Sequence, residues 1–164
     1  MGNVMKYTYQ MTMDDCDTIC HQIHKWDWKP DLIVGVSRGG LIPAVMLSHR
    51  LGVRLEPVTW STRDWGTKRV SDDLLRQHNY LKNTLIVDDI VDNGDTMFQL
   101  KEQLLLARSA SLIFNVSQRK AIPDFWGRII NRNVDKDWVD FWWEEPTIIS
   151  SNLQEEVEYS PWPI

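Results

Sequence analysis

Leu85-Ile-Val-Asp-Asp-Ile-Val-Asp-Asn-Gly-Asp-Thr-Met97 is the stretch from which the rest of the chain can be read. Leu85, Ile86 and Val87 form an unbroken apolar, β-prone run, the pattern of a strand buried on both faces of a parallel sheet. Asp88 and Asp89 stand at its carboxyl end, where open α/β sheets bind their ligands. Asp92 follows, and Asn93-Gly94-Asp95-Thr96 then turns the chain into an amphipathic stretch, Met97 to Arg108, expected to be helical. Backbone N–H groups gathered at a helix N-terminus attract anions, phosphate above all. Three carboxylates crowded at one strand end repel one another, so the cluster requires a cation or a polyol to hold. A P-loop NTPase is excluded, because no G-x-x-x-x-G-K-[ST] occurs.

Upstream, the chain repeats the same grammar. Leu32-Ile33-Val34-Gly35-Val36 reads as a second buried strand, Ser37-Arg38-Gly39-Gly40 as its loop, and Leu41 to Leu51 as a helix stopped at Gly52. Two glycines let backbone approach an anion closely, and Arg38 adds charge. Arg54 to Thr59 reads as a third strand, and Ser111 to Val116 as another. Trp60 to Tyr80 is polar without clean periodicity, which suggests a long functional loop. At the start, Tyr7 to Met11 alternates like a short strand. Thr12 is the expected N-cap of a helix to about Trp26, with Asp14 and Asp15 in its first turn.

At 164 residues the chain is long enough for one domain with a real core. A net charge of −5 and a pI near 5.3, with basic residues scattered, argue against a nucleic-acid surface. No apolar run approaches the ~18 residues of a membrane span, and the N-terminus is unlike a signal peptide, so a cytoplasmic protein with no membrane partner is expected. Cys16, Cys20 and His24 share a helix face. Positions 16 and 24 lie about 12 Å apart at ~1.5 Å per residue, too far to share a zinc ion, so reduced thiols packed on the sheet are expected.

Two hydrophobics, two acids and then Asp92-x-Gly94-x-Thr96 resemble the 5-phosphoribosyl-1-pyrophosphate (PRPP) signature of the type I phosphoribosyltransferases. The second half, with Lys120 after a strand and Trp138 among acids, is similar to the small bacterial xanthine-guanine enzymes of that family. The resemblance implies an α/β fold: a central parallel sheet flanked by helices. A small hood would come from roughly residues 1–12 and 120–150, and a flexible loop at 60–80 would close over the site. It also implies transfer of phosphoribose from PRPP to a 6-oxopurine (guanine, xanthine or hypoxanthine), with release of pyrophosphate.

Carried over residue by residue, the resemblance places pyrophosphate on Ser37, Arg38, Gly39 and Gly40, with a strained or cis Ser37–Arg38 peptide, and assigns Arg69 or Lys68 to closure over it. Asp88 and Asp89 take the ribose hydroxyls and Mg²⁺, and Asp92 exchanges a proton at purine N7. Asn93, Gly94, Asp95 and Thr96 wrap the 5′-phosphate, with the Asp95 carboxylate expected to point outward. Lys120, with Arg119 beside it, meets the 6-oxo group; Trp138 stacks on the base, and the backbone of Trp138 and Val139 reads its 2-position. The family habit implies a homodimer or homotetramer. Two other readings share these motifs: a PRPP- or nucleotide-binding regulator, and a phosphoribosyltransferase for a pyrimidine base. Trp138 separates the last from a purine enzyme.

Overall fold

Continuous apolar runs in the sequence become central strands because both of their faces are covered. In the computed structural model, which describes residues 4–60 and 70–144, Leu32, Ile33, Val34, Leu85, Ile86 and Val87 have no solvent exposure. The elements run β1 (Val4–Tyr7), α1 (Tyr9–Lys25), β2 (Leu32–Ser37), α2 (Leu41–Leu51), β3 (Arg54–Thr59), α3 (Asp72–Leu81), β4 (Thr84–Val91), α4 (Asp95–Gln103), β5 (Arg108–Asn115), β6 (Phe125–Ile130) and β7 (Trp138–Phe141). Five strands form a parallel sheet in the order β3-β2-β4-β5-β6, which is the expected α/β architecture.

The order matters for function. From β2 the chain moves outward to β3 through α2, and from β4 it moves the opposite way to β5 through α4. Helices α1 and α2 pack on one face, through Cys16, Ile19, Ile23, Ala44 and Leu47. Leu74 of α3, with Met97 and Leu100 of α4, packs on the other. The carboxyl ends of the neighbours β2 and β4 therefore diverge, and a crevice opens where the topology switches.

Several boundaries differ from the sequence reading. The first strand lies at Val4–Tyr7, and the helix begins at Tyr9, because Thr8 rather than Thr12 caps it by accepting from Met11 N–H. Thr12 is buried, its hydroxyl donating to Thr8 O at 3.1 Å. Asp15 consequently lies inside the helix and buried, where Arg128 Nε and Nη2 donate to it at 2.6 and 3.0 Å. The polar stretch after Trp60 contains a helix, α3, started by Ser71, whose side chain accepts from Leu74 N–H, with Asp72 and Asp73 in the first turn. Leu74 and His78 of α3 are buried and Leu75 and Leu81 pack against the same core, a short apolar stripe at helical spacing inside an otherwise polar stretch. Helix α4 stops at Gln103, and Leu106 takes φ +70°, 92% exposed, before β5 begins at Arg108.

Strands β1 and β7 pair in parallel as a separate two-stranded hood, while β6 joins the main sheet. The hood's two strands are packed together by Phe141, whose ring lies 5.1 Å from Tyr7 and 4.7 Å from Trp143. The Tyr7 hydroxyl donates to Asp15, so α1, β6 and the hood meet at one buried carboxylate. On the open edge of the sheet, the Gln22 side chain bonds both the N–H and the carbonyl of Trp126, standing in for a missing strand. Both cysteines are free thiols; burial pushes Cys16 up to about 12. Among the described residues no helix is long and apolar enough to cross a membrane.

Candidate active site

Two loops meet over the crevice. After β2, Ser37-Arg38-Gly39-Gly40 enters α2 with a cis Ser37–Arg38 peptide, and the Ser37 hydroxyl donates to Val58 O at 2.9 Å. A Cβ at Gly39 would stand 1.8 Å from Asp89 Oδ2, and one at Gly40 would stand 2.6 Å from Val87 O. Only glycine lets this loop lie directly on the acids of β4. After β4, Gly94 sits at φ +81° and opens α4, with Asn93 Oδ1 accepting from Asp95 N–H at 2.9 Å. Neither α2 nor α4 carries a side-chain cap, so both present positive N-termini to the crevice.

Strand β4 runs on through its acids to Val91 instead of ending at Val87. Asp88 is only 9% exposed. Burial, and then the neighbouring Asp89 charge, raise Asp88 well above the usual carboxylate range; burial raises Asp89 as well. Main-chain N–H groups of Asp89 and Ile90 donate to Asp88 Oδ1 and Asp89 Oδ1 at 3.0 and 2.7 Å. Among the described residues neither acid has an ion-pair partner. Carboxylate oxygens from the buried Asp88 and the half-buried Asp89 are the donor type a hard cation such as Mg²⁺ takes. They do not enclose one, since no group of three or more His, Cys, Asp or Glu residues able to hold a metal occurs among the described residues. Further ligands for such an ion would come from substrate and water.

The main cleft has a volume of about 580 Å³. Ser37, Arg38, Gly39, Asp88, Asp89, Asp92, Thr96, Trp138 and Val139 line it, joined by Thr59, Trp60 and Arg132. A smaller recess of about 180 Å³ is lined by Asp88, Asp92, Asn93, Gly94 and Thr96. Asp95 lies outside both; its carboxylate pairs with Lys120. Lys120 lines neither cavity and lies over the Phe98 ring at 5.5 Å. The structure therefore places Lys120 beside the Asn93–Thr96 loop, on the Asp95 carboxylate, with its expected contact to the base outside the two cavities as they stand. Lys68 and Arg69 lie outside the described residues.

Trp138 is 59% exposed at the mouth of the cleft, on a strand held by pairing Val4 with Trp138 and Met5 with Val139. Two further residues were not singled out from the sequence. Arg132 donates to Asp92 Oδ1 at 3.0 Å through Nε and to Oδ2 at 3.4 Å through Nη2. Asn115, buried at the end of β5, donates through Nδ2 to the Asp92 carbonyl at 2.9 Å. Asn115 had a faint signal, a polar residue ending an apolar strand; Arg132, between two asparagines, had none.

The sequence matches the phosphoribosyl transferase domain over residues 7–145. It is 30% identical over 125 residues to a xanthine-guanine phosphoribosyltransferase of Vibrio vulnificus, covering 74% of this chain and 81% of that one. With the enzyme of the same name from Vibrio parahaemolyticus it is 28% identical over 159 residues, covering 93% and 97%. Among solved structures, a purine phosphoribosyltransferase from Pyrococcus horikoshii superposes with a TM-score of 0.66 at 26% identity, covering 91% of this chain and 99% of that one. With this match over most of its length, and two glycine loops meeting over an acid pair at the switch point, the chain belongs to the phosphoribosyl transferase family.

Proposed function

We propose that this protein is a purine phosphoribosyltransferase that joins a 6-oxopurine (guanine, xanthine or hypoxanthine) to PRPP, giving the nucleoside 5′-monophosphate and pyrophosphate. The observation that carries this reading is the open face of Trp138 in the same cleft as Asp88, Asp89 and Asp92. A planar base stacks on an exposed indole at a gain of about 1–3 kcal/mol. The named activity of the Vibrio relatives agrees with it.

In this reading the 5′-phosphate sits in the recess of Asn93, Gly94 and Thr96, and the pyrophosphate lies on the Ser37–Gly40 loop. Each anion meets a helix N-terminus, which favours negative charge. Asp88 and Asp89 hold the ribose hydroxyls and stabilise positive charge as the ribose ring becomes oxocarbenium-like. Asp88 and Asp89 would hold Mg²⁺ when it is bound with PRPP, and the ion would supply positive charge against the leaving pyrophosphate and between the two acids. The purine N9 forms the bond to ribose C1 as the bond from C1 to pyrophosphate oxygen breaks. Asp92 takes the proton released at N7. The backbone of Trp138 and Val139 reads the purine 2-position. The same reading makes the protein a cytoplasmic homo-oligomer, in keeping with the family.

The test is steady-state turnover of guanine, xanthine, hypoxanthine, adenine, uracil and orotate with PRPP and Mg²⁺, following the nucleotide formed. Turnover confined to the 6-oxopurines is expected. Turnover of orotate or uracil instead would move the reading to a pyrimidine enzyme. Calorimetric binding of PRPP without turnover of any base would make the protein a sensor.

A further inference from the structure

Arg132 lies in the turn between β6 and β7, yet it lines the cleft and its side chain is only 22% exposed. Its Nε and Nη2 grip both oxygens of Asp92, and Nη1 donates to the carbonyl of Asp137, the residue before Trp138. The main-chain N–H of Arg132 is itself anchored, donating to Asn115 Oδ1 at 3.2 Å. Asn115 Nδ2 completes the loop by donating to Asp92 Oδ1 at 3.2 Å.

We propose that Arg132 is a positioning residue for the transfer reaction, clamping the Asp92 carboxylate at a set distance from the stacking face of Trp138. The inference rests on the reading of Asp92 as the acceptor of the purine proton. Asp92 follows β4 on a loop, where its carboxylate would otherwise swing between rotamers, whereas proton transfer needs it within hydrogen-bond reach of one ring nitrogen. A planar guanidinium can hold two carboxylate oxygens and a carbonyl at once; a lysine ammonium cannot reproduce that fork. Asp92 remains 48% exposed, so the ion pair itself adds little to stability. What the contact supplies is geometry: it ties the chemistry of β4 to the strand that carries the base.

The experiment compares wild type, Arg132→Ala, Arg132→Lys, Asp92→Asn and the double variant Asp92→Asn/Arg132→Ala, each with PRPP, Mg²⁺ and its purine. Calorimetric PRPP affinity is expected to be unchanged in Arg132→Ala, while kcat falls about 10- to 100-fold, the usual cost of about 1 Å of misplacement. Free guanidinium added to Arg132→Ala restores part of kcat. Arg132→Lys keeps the charge and falls as well, which carries the comparison should the alanine variant fail to fold. In the Asp92→Asn background, removing Arg132 changes kcat less than about twofold, because no carboxylate is left to place. Wild-type kcat in Arg132→Ala, or the same loss with and without Asp92, overturns the inference and leaves the reaction standing. Absence of turnover in the wild type itself overturns both.

Discussion

Trp138→Ala removes the stacking surface with little other disturbance. The ring is 59% exposed, and its strand is held by backbone pairing with β1, which an alanine retains. The stability change should stay within about 1 kcal/mol. Base stacking on an indole contributes about 1–3 kcal/mol, which at ~1.4 kcal/mol per tenfold corresponds to roughly a 5- to 150-fold rise in the KM for the base. The KM for PRPP should not move, because Asp88, Asp89 and the two glycine loops lie on other strands. Trp138→Phe keeps a π-face and should recover most of the loss. The assay is initial-rate kinetics with each substrate varied at saturating levels of the other. An unchanged base KM in Trp138→Ala would refute the stacking assignment, and with it the strongest reason for reading a purine site.

Other perturbations probe the remaining parts of the site. Asp88→Asn should abolish turnover yet raise the melting temperature of the ligand-free protein. Burial holds Asp88 above its ordinary value of 3.8, so the folded state binds the extra proton and stability declines as pH rises from there. The variant's advantage should therefore be larger at pH 8 than at pH 5, and an equal gain at both would contradict this. Asp15→Ala strips a buried carboxylate from Arg128 and Tyr7. Breaking such a pair costs about 3–5 kcal/mol when fully buried. With Arg128 at 30% exposure, about 2–3 kcal/mol is expected, a fall of roughly 4–12 °C in Tm; a change below about 0.5 kcal/mol in denaturant unfolding would remove Asp15 as the anchor of the hood. Lys120→Met frees the Asp95 carboxylate beside the Asn93–Thr96 loop and, if that loop takes the 5′-phosphate as proposed, should raise the PRPP KM a few-fold. Asp95→Asn in that background should reverse it, whereas a change confined to the base KM would return Lys120 to the purine.

Local order along the chain was enough to specify the catalytic core. Leu32–Val36 and Leu85–Val87 are short, β-branched-rich apolar runs, the pattern of a doubly covered strand, and the loops that follow them carry their own turn chemistry in Gly39, Gly40 and Gly94. Helix α2 runs from Leu41 to Leu51 and stops at Gly52, as read, because Gly52 takes the left-handed conformation at φ +62°. Helix α3 carries its own signals, the Ser71 cap and the Leu74, Leu75 and Leu81 stripe, but they span only ten residues of a polar stretch, and α4 ends before Leu104, Leu105 and Leu106 although leucine is a good helix former.

Tertiary structure alone decided the rest. Asp92, Asn115 and Arg132 come from three separate segments, and no spacing rule brings them together. The hood exists because β1 and β7 pair across nearly the whole described chain, and Asp15, expected in the first turn of α1, is instead its buried anchor. Lys120 illustrates the same limit: its place after β5 was legible, but its partner depended on where the Asp95 carboxylate turned. Periodicity and turn residues act over a few neighbours and are written in the sequence, whereas the orientation of a side chain is set by what other segments pack against it.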